Sequence, residues 1–176
     1  KTARGARAFG AVYRAEIAAA KTGERVSDQV ALAQGTALIC LQERLEIATT
    51  GRGFSSLNEP VERVVSNSGV RTGMCTVFVR HTSASLVIQE NADPAVLRDL
   101  ARWISKVAPE GDHWEHDDEG SDDMPAHARS AMTRTSENIP VTQGRLALGT
   151  WQGIFLWEHR SRPHQREIIV HVAGTP

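Results

Sequence analysis

RLALGTWQGIFLWEH, residues 145 to 159, decides the fold. Trp151, Gly153, Phe155, Trp157 and His159 fall on one face, and Gln152, Ile154, Leu156 and Glu158 on the other. A two-residue period rich in aromatic and β-branched side chains is that of a strand. The stretch reads as one long strand, or as two with a break at Gly149. The loop from Arg160 to Gln165 leads into REIIVHV, a closing strand, and the pair predicts an antiparallel hairpin with a six-residue loop.

Upstream the same period recurs. LQERLEIAT (41–49) puts Leu41, Leu45 and Ile47 on one face, and MCTVFVRH (74–81) does the same with Cys75, Val77, Val79 and His81. Gly51-Arg52-Gly53 marks a turn. Helices are predicted from Asn58-Glu59-Pro60, with Asn58 as N-cap and Gly69 beyond the C-terminus, and from Asp93-Pro94, with Leu97, Leu100, Ala101 and Ile104 as the apolar stripe. Asp123-Met124-Pro125 opens another, with His127 near its start. Strands and helices mix without βαβ alternation, so the predicted class is α+β, a β-rich mixed sandwich with a few short helices.

At 176 residues the chain fits one ordinary domain, predicted to span 37–176, after an Ala-rich extension over 1–36 to which no chemistry is assigned. A net charge of −1 argues against a general nucleic-acid binder. The longest apolar run, Ala37 to Leu41, is too short for a helical membrane span, and no secretory signal is visible. Cys40 and Cys75 make no disulfide framework. A cytoplasmic protein without membrane or nucleic-acid partners is the expectation.

Charge is unevenly placed. EGDHWEHDDEGSDD (110–123) holds eight acidic residues and no Lys or Arg, so the remainder carries +7. Such a run reads as a solvated loop. It also contains His113 and His116, and His127 follows. Imidazole is the commonest metal ligand, and reactive zinc sites use three protein ligands and leave a position open. His81, His116 and His127 could converge on such a site, with Asp117, Asp118, Asp122 and Asp123 holding the rings from behind. Spacing alone leaves open that they are three unrelated histidines.

Ser83, Ser85 and Arg160 are candidate phosphate ligands, and Arg162 and Arg166 lie close by in sequence. Glu158 shares a face with Ile154 and Leu156. A carboxylate there must be paired with an Arg, bound to a metal, or raised in pKa and available as a base.

HTSASL (81–86), ENADP (90–94), EHDDEGSDDMPAH (115–127) and GTWQGIFLWEHR (149–160) resemble the YjbQ-like family, the secondary thiamine-phosphate synthase group, in order over about residues 38 to 174. The resemblance implies a compact homotrimer and a metal-compatible histidine cluster on His81, His116 and His127, with Glu158 and Arg166 as catalytic residues. It implies a transferase that joins a hydroxymethylpyrimidine diphosphate to a thiazole phosphate and releases pyrophosphate. The cofactor would be a divalent metal, zinc for the histidines or magnesium for the diphosphate. Two rivals are a metal-dependent hydrolase of an unknown small metabolite, phosphorylated or acyl, and a non-catalytic trimeric metal- or ligand-binding protein.

Overall fold

The structure, a computed structural model, describes residues 37–111 and 114–176. The 1–36 extension and His113 lie outside the described residues. Among the described residues eight strands and three helices follow in the order β1 (Ile39–Ala48), β2 (Gly53–Ser56), α1 (Asn58–Ser68), β3 (Thr72–Val79), β4 (Ala84–Glu90), α2 (Pro94–Val107), α3 (Asp123–Met132), β5 (Ser136–Thr142), β6 (Arg145–Leu146), β7 (Gln152–Glu158) and β8 (Gln165–Thr175). One sheet has the order β1-β8-β3-β5-β6 and the other β2-β7-β4, and all the pairings are antiparallel. This is the expected strand-rich α+β class.

Both sheets and α1 contribute to a single core. It takes Val77 and Val79 from β3, Leu86 from β4, Ile154 and Leu156 from β7, Ile168 and Val170 from β8, and Val61, Val64 and Val65 from α1. Helix α1 ends at Gly69, whose φ of 73° suits a residue without Cβ. Asn58 does not cap it as expected. Its Oδ1 accepts from the backbone N–H of Ile154 at 2.7 Å and ties the helix to β7 instead. Asp93 does cap α2, accepting from the Ala95 N–H at 2.8 Å.

The predicted break at Gly149 is present, since β6 and β7 lie in different sheets. The predicted hairpin is not. Strand β7 runs between β2 and β4, both its edges are taken, and β8 crosses over to pair with β1 and β3. The chain also crosses between sheets after β1 and after β3. These three of the crossings between sheets meet at one place. Thr49, past β1, exchanges hydrogen bonds with His164, just ahead of β8: Thr49 N–H to the His164 carbonyl at 2.8 Å, and His164 N–H to Thr49 Oγ1 at 3.0 Å. Arg80, past β3, donates its N–H to the Glu167 carbonyl at 3.0 Å. The candidate site residues sit around this corner.

Candidate metal centre

Asp123 opens α3, and His127 lies one turn further on. Residues four apart on a helix stack on one face. His116 comes from the acidic loop that leads into the helix. One ligand-capable atom from each of the three lies within 4.8 Å of the others. His116 Nε2 is 2.8 Å from Asp123 Oδ2, and His127 Nε2 is 3.6 Å from the same oxygen. The Asp123 side chain is only 2 % exposed, against 48 % for His116, so the cluster has a buried floor and an open side.

These donors are arranged for a cation. His127 Nδ1 lies 3.0 Å from the Thr82 carbonyl, which can only accept, so Nδ1 carries a hydrogen. In the neutral ring this leaves the Nε2 lone pair turned to Asp123. Oδ2 of Asp123 is buried and accepts no hydrogen bond among the described residues, although His116 Nε2 approaches it to 2.8 Å. Lone pairs facing one another at this range repel unless a proton or a metal ion lies between them. An imidazole held through its second nitrogen by a carbonyl is also the usual support of a metal-bound histidine. Two imidazoles and one carboxylate suit zinc. The residues present therefore fit a divalent transition metal.

The other oxygen of Asp123 is held by Arg160, whose guanidinium also reaches Asp122 at 3.2 Å and Glu119 at 3.3 Å. Burial alone would raise the Asp122 pKa, but the Ser161 N–H and O–H and the Arg160 guanidinium outweigh it and hold it down at about 2. Arg160, a candidate phosphate ligand by sequence, thus spends its guanidinium on the acidic loop.

His81 stands outside the three-residue cluster. Its Nδ1 receives the Ser83 backbone N–H at 3.1 Å and lies 3.1 Å from Ser83 Oγ. Burial first, and then the charge of Arg166, lowers its pKa. Glu158 and Arg166 form a buried two-pronged pair, with Nε to Oε2 at 2.7 Å and Nη2 to Oε1 at 2.6 Å. Thr49 Oγ1 and the Arg160 N–H also donate to this carboxylate, each at 3.0 Å. Although burial opposes it, this set of donors, led by Arg166, lowers the Glu158 pKa, so the group is an ionised partner of Arg166. The two serines are engaged internally: Ser83 Oγ accepts from Arg166 at 3.2 Å, and Ser85 Oγ lies 2.8 Å from His159 Nε2. His159 is fully buried, and burial, reinforced by the nearby Arg129 charge, pushes its pKa down to about 3.

Sequence reasoning treated Asp123 as a support for a histidine rather than as a member of the cluster. The signal that finds it is the four-residue spacing from Asp123 to His127 at a helix start.

The family model described as UPF0047 protein YjbQ-like matches residues 43–175. UPF0047 protein sll1880 of Synechocystis is 64 % identical over 134 residues, 76 % of this chain and 91 % of that protein. UPF0047 protein YjbQ of Escherichia coli is 40 % identical over 134 residues, 76 % of this chain and 97 % of that protein. A YbjQ-like protein of unknown function from Sulfolobus solfataricus superimposes with a TM-score of 0.73 at 27 % identity, covering 78 % of this chain and 99 % of that one. These relatives correct the expected function. They are uncharacterised proteins, and nothing in their descriptions supports thiamine-phosphate formation, a hydrolase or a non-catalytic binding role. Glu158, Arg166, Ser83, Ser85 and Arg160 all spend hydrogen-bonding groups on one another or on neighbouring protein groups. No described helix is long and apolar enough to cross a membrane. The chain belongs to the UPF0047 YjbQ-like family.

Proposed function

We propose that this protein works through a divalent transition-metal ion, zinc in the first instance, held by His116, Asp123 and His127. The observation that carries the reading is the buried, donorless Oδ2 of Asp123 with two imidazole Nε2 atoms at 2.8 and 3.6 Å. Three protein ligands leave at least one coordination position for a small molecule. The half-exposed His116 side gives that molecule a way in. The same donor set serves iron(II), so identifying the metal is part of the test.

Elemental analysis of untagged protein, followed by zinc titration of chelator-treated wild type and of Asp123→Ala and His127→Ala, tests the proposal. One metal per chain in the wild type and loss of binding in both variants is the expected result. Wild type that binds no transition metal overturns it.

The expected homotrimer is likewise a proposal. It is supported by the outer face of the five-stranded sheet, where Met74 and Phe78 are 43 % and 42 % exposed beside Ala173 and Ile169. Apolar side chains grouped on an open sheet face favour association.

A further inference from the structure

We infer that His81 is a hydrogen-bond donor to an oxyanion bound at the metal, and not a ligand of the metal itself. The inference rests on the metal reading above. The Ser83 backbone N–H can only donate, and it points at His81 Nδ1 at 3.1 Å, so that nitrogen carries no hydrogen. Arg166 Nη2 donates to Ser83 Oγ at 3.2 Å, which directs the hydroxyl hydrogen to the same Nδ1, 3.1 Å away. Arg166 is fixed in turn by Glu158, at 2.7 and 2.6 Å. A chain of buried groups, Glu158–Arg166–Ser83, therefore sets the tautomer of His81. The ring is neutral with its hydrogen on Nε2, and Nε2 has no protein acceptor among the described residues.

The place of this donor follows from its neighbour. Thr82, the next residue, holds His127 through its carbonyl at 3.0 Å. His81 is exposed, and its neighbour along the chain touches the ring of a proposed metal ligand. A metal ligand must present a lone pair, whereas His81 presents N–H. An N–H donor near an open metal position recognises an acceptor oxygen on the bound molecule. Of the two charged groups that act most on His81, the Arg166 guanidinium outweighs the Glu158 carboxylate, which favours an anion there. On the other side, Arg160 pairs with Glu119, Asp122 and Asp123 and so offsets part of their charge. The ligand class is a small oxyanion, a phosphate or carboxylate group.

The test uses cobalt-loaded full-length protein and inorganic phosphate, with binding read from the cobalt absorption bands. His81→Ala is expected to keep its metal and to bind phosphate at least tenfold more weakly. His81→Gln, whose amide N–H sits near the position of Nε2, is expected to recover part of the loss. A long-range proton–nitrogen correlation spectrum of the wild type is expected to show the Nε2–H tautomer for His81. Loss of metal in His81→Ala, unchanged phosphate affinity with metal retained, or an Nδ1–H tautomer each overturns the inference and leaves the metal reading standing. A wild type without metal overturns both and is recognised from the metal content alone.

Discussion

Glu158 and Arg166 sit on strands of different sheets and meet in a buried pair with oxygen–nitrogen distances of 2.7 and 2.6 Å, each side chain 1 % exposed. The carboxylate accepts two further hydrogen bonds, from Thr49 and the Arg160 N–H, and the guanidinium reaches Ser83. The pair thus joins the points where the chain leaves β1, β3 and β7. Removing one member leaves the other charged and unpaired in the interior. Arg166→Met and Glu158→Leu should each destabilise the fold by about 3–5 kcal/mol. The double variant should lose well under the sum. Urea denaturation of the three variants gives these values, and strictly additive losses would contradict this account of the corner.

His159 sets an acid sensitivity. Its folded pKa of about 3 lies below the usual imidazole value of 6.5. Below pH 6.5 the unfolded chain takes up a proton that the folded protein refuses, so stability falls as pH drops towards 3. The slope from this one group is about 1.4 kcal/mol per pH unit. His159→Gln should flatten the stability profile between pH 6 and 4 by about that slope, as measured by denaturant titration at stepped pH.

Asp122 acts in a lower window. Its pKa is held down from 3.8 to about 2, so its contribution is complete above pH 4 and is lost as pH falls through 2. At neutral pH, Asp122→Asn should cost about 2 kcal/mol. The gap between variant and wild type should close between about pH 4 and pH 2. A gap that stays constant down to pH 2 would mean that the carboxylate charge is not what Arg160 and Ser161 hold.

Phe78 offers a test of assembly. Phe78→Asp places a charge on the open sheet face between Ile169 and Ser136 without touching the core. Light scattering coupled to size exclusion should show the mass fall from three chains to one. A variant that retains the wild-type mass would place the subunit contact elsewhere.

Much of this architecture is legible in the residues. The alternation in 41–49 and 74–81, the Asp93 cap, Gly69 and the break at Gly149 are local signals, and each of them has its structural counterpart. The partner of a strand is not local. β7 and β8 adjoin in sequence with a short loop between them, which is a hairpin signal, but β7 carries buried residues on both faces and lies between β2 and β4. β4 hides behind the polar HTSAS, because Ser83 and Ser85 are buried by the hydrogen bonds they make to Arg166 and His159. β5 hides behind Pro140, tolerated because β6 borders β5 only at Val141–Leu146 and Thr142–Arg145. At the site, residue type alone identifies three histidines. It does not reveal that Ser83 turns the lone pair of His81 inward while Thr82 turns that of His127 towards Asp123.

The central claim is a metal bound by His116, Asp123 and His127. X-ray absorption at the metal edge of the natively loaded protein tests it most directly. The account predicts a first shell of nitrogen and oxygen at about 2.0–2.1 Å with the multiple scattering of two imidazoles, which collapses to that of one imidazole in His116→Ala. A shell without imidazole, or one unchanged when His116 and His127 are replaced in turn, would contradict it.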